Sequence, residues 1–336
     1  MDNNKIKVLI NLPEGFYRCE KLAPVFKRIE QRSIIRKTSH NTPEDIMEDL
    51  KWAEAVIMWS WPELSDDMIE ECPHLRYVGQ INSSKPTAKV LLKKEIALSE
   101  ARHAWSPAVA EMALTLMLTG LRKVSDFHMA MRQGTEAWIE DFPMDIDPLE
   151  RQLTGRRVGI VGFGRIGQRL AELLQPFNTT LRAYDPYLPQ EIAKSYHATL
   201  VDKKELFENS EIIVLCAANT REAEKLVGRE EIASIQKNGL LVNVGRASLV
   251  DMEALTERLQ SEELFAMLDV FDKEPLEKDS PLRTLKNAWL TPHKAGGIMA
   301  SVERALTMLM DDFEATLEGK ERKYSITSAM LNCLSD

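Results

Sequence analysis

Three glycines near the middle of the chain stand at a spacing that can do chemistry. Gly162, Gly164 and Gly167 form a G-x-G-x-x-G turn, directly after an apolar run and before a helix-forming one. Glycine is otherwise scarce: the chain holds 15, and five of them fall within residues 155–167. Such a turn suits a pyrophosphate. The first glycine permits a tight turn, the second lets the backbone approach the phosphates, and the third lets helix and strand pack closely. The helix N-terminus adds free N–H groups and the positive end of its dipole. A glycine turn can also serve packing alone, so the discriminating residue lies about twenty positions further on. There a strand-like run ends in Asp185. A carboxylate at that place accepts hydrogen bonds from an adenosine ribose and repels a 2′-phosphate, which favours NAD over NADP.

The elements that must position these residues follow from the apolar patterning. Runs 6–12, 33–36, 55–59 and 75–78 read as buried strands, with a helical stretch over 19–31 between the first two. Pro43 opens another helix, with Ile46, Leu50 and Ala53 on one face. Strand and helix alternating at this spacing predict a doubly wound parallel sheet. Pro107 then suits the first turn of a long helix, striped by Val109, Met112, Ala113, Leu116, Met117 and Leu121. A second alternation places strands at 157–161, 180–184, 212–215, 240–244, 265–268 and 288–290. A last helix over 300–317 can return the chain to the first lobe. The tail after Gly319 has no periodicity that assigns it to an element.

Composition bounds the function classes. A chain of 336 residues predicts about two domains. With 44% hydrophobic and 28% charged residues, it predicts a folded protein rather than a disordered one. Asp and Glu outnumber Lys and Arg by 52 to 43, and a net charge of −9 disfavours binding to phosphate backbones, so no nucleic-acid partner is expected. Cys19, Cys72, Cys216 and Cys333 are scattered, which fits neither a disulfide framework nor a metal site. The N-terminal residues do not read as a signal peptide, and no apolar run reaches the length expected of a membrane span. The expectation is a reduced, cytoplasmic protein with no metal and no membrane partner.

Three further motifs follow strand-like runs: Val242-Asn-Val-Gly-Arg-Ala-Ser-Leu-Val-Asp251, Ala266-Met-Leu-Asp-Val-Phe-Asp-Lys-Glu-Pro275 and Leu290-Thr-Pro-His293. With the glycine turn, they make the chain resemble the D-isomer-specific 2-hydroxyacid dehydrogenases. That family includes D-lactate, D-glycerate and 3-phosphoglycerate dehydrogenases. The resemblance is strong over residues 155–297 and weaker through the first hundred. It implies an α/β fold of two doubly wound parallel-sheet domains. A Rossmann NAD-binding domain (104–296) would be inserted into a flavodoxin-like substrate domain (1–103 and 297–336). It also implies an oxidoreductase that interconverts a 2-keto acid and a D-2-hydroxy acid, in a homodimer formed through the cofactor lobe.

By the same resemblance, Arg246 holds the substrate carboxylate and polarises its ketone, a task suited to a planar guanidinium fork. His293 is the acid–base residue, as befits an imidazole that exchanges its proton near neutrality. Glu274 orients it and favours the imidazolium, and Asp269 lies near the nicotinamide. The cofactor residues implied are Gly162, Gly164, Arg165, Ile166, Gly167, Asp185, Ala217, Thr220, Val244, Asp269 and His293. Those implied for substrate are Ser60, Asn82, Ser83 and Ser84, with Arg246 and His293, on a ligand bound between the lobes.

The first lobe departs from the family pattern. Relatives carry a G-x-G-like loop after the strand near 75–78, whose amides bind the substrate carboxylate. Here the chain reads Val78-Gly-Gln-Ile-Asn-Ser-Ser-Lys85. Either amides near Ser83 and Ser84 take over, helped by Asn82 or Lys85, or the segment is an ordinary polar turn. Trp59 and Trp61 allow two readings as well, an aromatic wall for a larger substrate or core packing. Two rival functions accompany the dehydrogenase: an NAD(H)-sensing, corepressor-like interaction protein, and oxidation of a small anion. Formate is disfavoured because its enzymes usually replace the catalytic glutamate by glutamine; phosphite stays open.

Overall fold

The structure is a computed structural model, described here for residues 5–333. Among the described residues the chain divides into two compact units. One runs to Trp105 and resumes at Ile298; the other, Ser106–Gly297, is inserted into it.

The first unit holds strands β1 (Ile6–Asn11), β2 (Ser33–Thr38), β3 (Ala55–Met58), β4 (Tyr77–Gln80) and β5 (Ala97–Glu100). They pair in parallel in the order β2-β1-β3-β4-β5, the flavodoxin-like winding. Alternate residues serve two cores. Val8, Ile10, Ala55 and Ile57 face one cluster, closed by Leu309 and Phe313 of the helix Met299–Leu317. Leu9, Val56, Met58 and Val78 face the other, with Ile46, Leu50 and Leu91. Burial on both faces is why these strands are almost continuously apolar.

The second unit holds β6 (Arg157–Val161), β7 (Thr180–Tyr184), β8 (Ala198–Leu200), β9 (Ile212–Leu215), β10 (Gly239–Asn243), β11 (Leu264–Leu268) and β12 (Ala288–Leu290). Their order, β12-β11-β10-β9-β6-β7-β8, is all parallel. It is the Rossmann winding with one further strand at the edge. The chain reverses its winding between β6 and β9, so a ligand crevice forms outside their carboxyl ends.

Several elements differ from the sequence expectation. The stretch near 19–31 begins as a 3-10 turn, Glu20–Leu22, and becomes α-helical only at Ala23–Arg32, where Pro24 sits in the first turn. β4 starts two residues later than the apolar run, because Leu75 closes a turn onto Cys72. Two strands were not expected: β5 and β8 are edge strands of four and three residues with little β-branched character. The unassigned tail lies along β5, where Ser325 bridges antiparallel to Ser99 and covers an otherwise open edge.

Among the described residues, one apolar helical stretch is long enough to cross a bilayer, against the expectation of none. Arg102–Leu121 forms 20 helical residues at mean hydropathy 1.2, because the 3-10 turn Arg102–Trp105 runs directly into the helix Ser106–Leu121. Half of that window is buried. Ala110, Ala113 and Met117 are fully covered, and the helix packs on β10, β11 and the helix Arg165–Leu174.

Candidate active site

β6 delivers the chain into the glycine turn. Gly162 has φ +84°, and a Cβ there would lie 2.4 Å from the Cα of Ala217, at the end of β9. A Cβ on Gly167 would lie 2.5 Å from the Gly162 carbonyl oxygen. These two glycines are therefore demanded by packing. Gly164 differs: its φ is −72°, and a Cβ there would meet no atom within 4 Å. It caps the helix Arg165–Leu174 without a side-chain bond, and the first helical hydrogen bond runs from Gln168 N–H to the Gly164 carbonyl. The N–H groups of Arg165, Ile166 and Gly167 precede that bond, as at any helix start. An open cradle with helix amides at its floor fits a dinucleotide pyrophosphate.

Asp185 follows β7 and is half-buried. One carboxylate oxygen accepts the Phe163 N–H at 2.9 Å and the other the Tyr187 N–H at 3.0 Å. This carboxylate is thus clamped to the glycine turn itself. Ala217 and Thr220 lie on the loop after β9, and Val244 is buried just past β10.

Arg246 is carried by a turn that Asn243 builds. Asn243 is fully buried; its Oδ1 accepts the Gly245 N–H at 3.0 Å and its Nδ2 donates to the Arg246 carbonyl at 3.1 Å. The guanidinium is exposed and donates through Nη1 to the Gly245 carbonyl at 2.8 Å.

His293 and Glu274 meet directly. The Nδ1 of His293 lies 2.7 Å from Oε2 of Glu274, whose Oε1 accepts the Phe271 N–H at 3.0 Å. Burial pushes the Glu274 carboxyl up. The hydrogen bonds from His293 and Phe271 and the charges of His293 and Arg246 outweigh it, and the group lies below the ordinary glutamate range. With Nδ1 engaged, Nε2 is the ring nitrogen left to exchange a proton with a ligand. Arg246, Glu274 and His293 line one open depression together with Ser248, Val270 and Phe271.

Asp269, expected at the nicotinamide, is fully buried, and its carboxylate holds the loop that bears the histidine. Oδ1 accepts the Thr291 hydroxyl at 2.5 Å and the Lys294 N–H at 2.9 Å, and Oδ2 accepts the Ala295 N–H at 2.8 Å. The Asp269 carbonyl also accepts the His293 N–H at 2.9 Å. The loop needs this support, because His293 has φ +50°, a conformation that costs a non-glycine residue about 1–2 kcal/mol. Asn243 and Thr291 were not singled out from the sequence; their signal was their place inside the motifs Val242–Asp251 and Leu290–His293.

Ser60, Asn82, Ser83 and Ser84 belong to the other unit, at the carboxyl ends of β3 and β4. Ser60 and Asn82 are half-buried. Ser83 is fully buried, and its N–H donates to Glu100 Oε1 at 2.9 Å rather than being offered outward. Ser84 is the N-cap of the helix Lys85–Lys93, and its hydroxyl donates to Glu63 at 3.1 Å. Trp59 packs edge-on against Phe16 and Trp105, at centroid separations of 5.8 and 6.3 Å, and joins a core cluster of its unit.

The switch-point crevice and the glycine turn mark this unit as a doubly wound domain of the nucleotide-binding class. Comparison with known proteins places it further. Residues 114–295 match the profile of the D-isomer specific 2-hydroxyacid dehydrogenase, NAD binding domain. The chain belongs to this family, and the matched domain is its NAD-binding one. Among relatives, it is 30% identical over 298 residues to a D-3-phosphoglycerate dehydrogenase of Methanocaldococcus jannaschii, covering 88% of this chain and 55% of that one. It thus spans about half the length of the phosphoglycerate dehydrogenases it matches. It is 27% identical over 306 residues to glyoxylate/hydroxypyruvate reductase B of an Enterobacter species, covering 89% and 93% of the two chains. A phosphoglycerate oxidoreductase structure from Rhizobium etli superposes with a TM-score of 0.82 at 24% identity, over 95% of this chain and 97% of that one.

Proposed function

We propose that the protein is an NAD-dependent oxidoreductase that interconverts a 2-keto acid and a D-2-hydroxy acid. The observation that carries this reading is the 2.7 Å contact between His293 and Glu274 on a rim shared with Arg246. Arg246 grips the substrate carboxylate and polarises the ketone, and its fixed charge stabilises the developing alkoxide. His293 protonates that oxygen through Nε2, with Glu274 holding the ring through Nδ1. Bound NADH supplies the hydride. In oxidation, neutral His293 takes the proton back. Asp269 is a positioning residue for the histidine loop. Asn82 and the helix start at Ser84 are assigned to substrate binding as well.

The same reading makes the protein a cytoplasmic homodimer without nucleic-acid or membrane partners. The helix Val124–Gln133 and the segment after it leave Phe127, Met131, Trp138, Ile139, Phe142 and Met144 exposed on the NAD-binding unit. Exposed apolar side chains this close together along the chain support a protein–protein interface there. Cys19, Cys72 and Cys216 are free, as suits a reducing compartment.

The test is NADH oxidation followed at 340 nm with pyruvate, hydroxypyruvate, glyoxylate and phenylpyruvate, and NAD reduction with phosphite. Turnover of a keto acid, abolished in His293→Ala with NADH binding intact, is the expected result. NADH binding with no turnover of any of them replaces this reading by a sensor of NAD(H), and turnover of phosphite alone replaces it by small-anion oxidation.

A further inference from the structure

The C-terminal tail and the loop after β4 converge on one buried carboxylate. Glu100, the last residue of β5, is 1% exposed. Its Oε1 accepts the N–H of Ser83 at 2.9 Å, and its Oε2 lies 3.3 Å from the Arg102 guanidinium. The Glu100 backbone N–H donates to the Tyr324 carbonyl at 3.0 Å, and the Ile326 N–H donates to the Leu98 carbonyl at 3.0 Å. The tail is secured in turn by Asp312, itself buried. That carboxylate accepts the N–H groups of Lys323 and Tyr324 at 2.8 and 2.9 Å and the Ser99 hydroxyl at 2.7 Å. Tail, β5 and the helix Met299–Leu317 therefore form one hydrogen-bonded block. Gln80, the register partner of Glu100 on β4, is equally buried but makes no side-chain hydrogen bond among the described residues. Glu100 is thus the side chain that reaches from this block to the loop.

We propose that Glu100 is a positioning residue for the 81–84 loop: anchored by the tail-bound end of β5, it fixes the Ser83 backbone and so sets how Asn82 and the Ser84 helix start present themselves to a substrate carboxylate. The inference rests on the assignment of that loop to substrate binding. What the loop requires is an acceptor at a set reach, not a negative charge. Glutamine preserves both the carbonyl acceptor and the length of the side chain; its NH2 replaces the oxygen beside Arg102, whose partly exposed guanidinium can turn to solvent. Aspartate preserves the charge and falls short by one methylene, about 1.5 Å.

The experiment compares Glu100→Gln and Glu100→Asp, using whichever of pyruvate, hydroxypyruvate, glyoxylate and phenylpyruvate the wild type turns over fastest. KM, kcat and NADH affinity are measured, together with amide hydrogen exchange over residues 81–84. Glu100→Asp should raise KM about tenfold and speed exchange in the loop. Glu100→Gln should stay within about twofold of wild type, with kcat and NADH affinity unchanged in both. A Gln variant as impaired as the Asp variant, or a wild-type KM and exchange rate in both, overturns the inference. If the wild type turns over no keto acid, the proposed function fails instead. Exchange alone then decides: fast loop exchange only in the Asp variant upholds the positioning role, and equal exchange in both overturns it.

Discussion

Asp269 offers the sharpest perturbation of the acid–base pair without touching it. Its carboxylate, fully buried, accepts one hydroxyl and two backbone N–H groups from residues 291–295, and those bonds hold His293 at φ +50°. In Asp269→Asn the side chain keeps its shape, but one oxygen becomes an NH2 donor. With the amide oxygen on Lys294, the new donor faces the Ala295 N–H. One buried amide then loses its acceptor, at a cost of about 1–3 kcal/mol. At about 1.4 kcal/mol per decade, that lowers the population of the competent loop by roughly five- to 150-fold. Asp269→Ala removes both acceptor oxygens, and with them all three hydrogen bonds, and leaves the left-handed His293 backbone, itself about 1–2 kcal/mol uphill, without that support. The expected series is kcat falling about ten- to a hundredfold in Asn and further in Ala. NADH affinity should hold within about threefold, because the pyrophosphate cradle lies on β6. Steady-state rates at 340 nm and NADH titration by fluorescence check both halves. An Asn variant with wild-type kcat refutes the claim that this carboxylate holds the histidine in place. A loss of NADH affinity equal to the loss in kcat shows instead that Asp269 acts on the cofactor.

The glycine turn separates packing from binding. Gly162→Ala should lower stability by about 2 kcal/mol or more, because its φ is positive and its Cβ would strike the Ala217 backbone; Gly164→Val should melt like wild type while NADH binding is lost. Urea melts and NADH titration read the contrast, and equal behaviour of the two variants contradicts it. Glu274 is held below the ordinary carboxylate range, so it adds stability above about pH 4.3, and this is lost as the pH falls through its folded value. Thermal melts of wild type and Glu274→Gln should therefore differ near neutrality and converge in acid; a constant offset at every pH rules the pairing out. Asp185→Ala should relax discrimination against NADPH and also loosen the Phe163 amide it clamps; unchanged NADH/NADPH ratios assign the choice to another residue.

Much of the frame was legible because both sheets are buried on two faces. Strands such as β6 and β9, buried along almost their whole length, show as apolar runs between turn residues, and their ends match the structure. The edge strands β5 and β8 were not legible, since Ala-Leu-Ser-Glu and Ala-Thr-Leu are stabilised by neighbours rather than by their own patterning. The tail was opaque for the same reason: its place depends on the edge of β5, far from it in sequence, and on a buried Asp312 that no local pattern marks as its anchor. In the site, the glycine turn and Asp185 declare themselves through local spacing. Arg246, Glu274 and His293 needed the family resemblance, because nothing local tells a reactive arginine or histidine from a solvated one. The supporting hydrogen bonds of Asn243 and Asp269 could not be read at all, as they join residues through tertiary geometry.

Single-turnover reduction with NADH deuterated at C4 tests the central claim most directly. The active keto acid is supplied and the product recovered for mass and chiral analysis. The account predicts one deuterium at C2 of a D-2-hydroxy acid, and no such product from His293→Ala in the same time. An unlabelled product, an L-isomer, or undiminished label transfer by His293→Ala would contradict it.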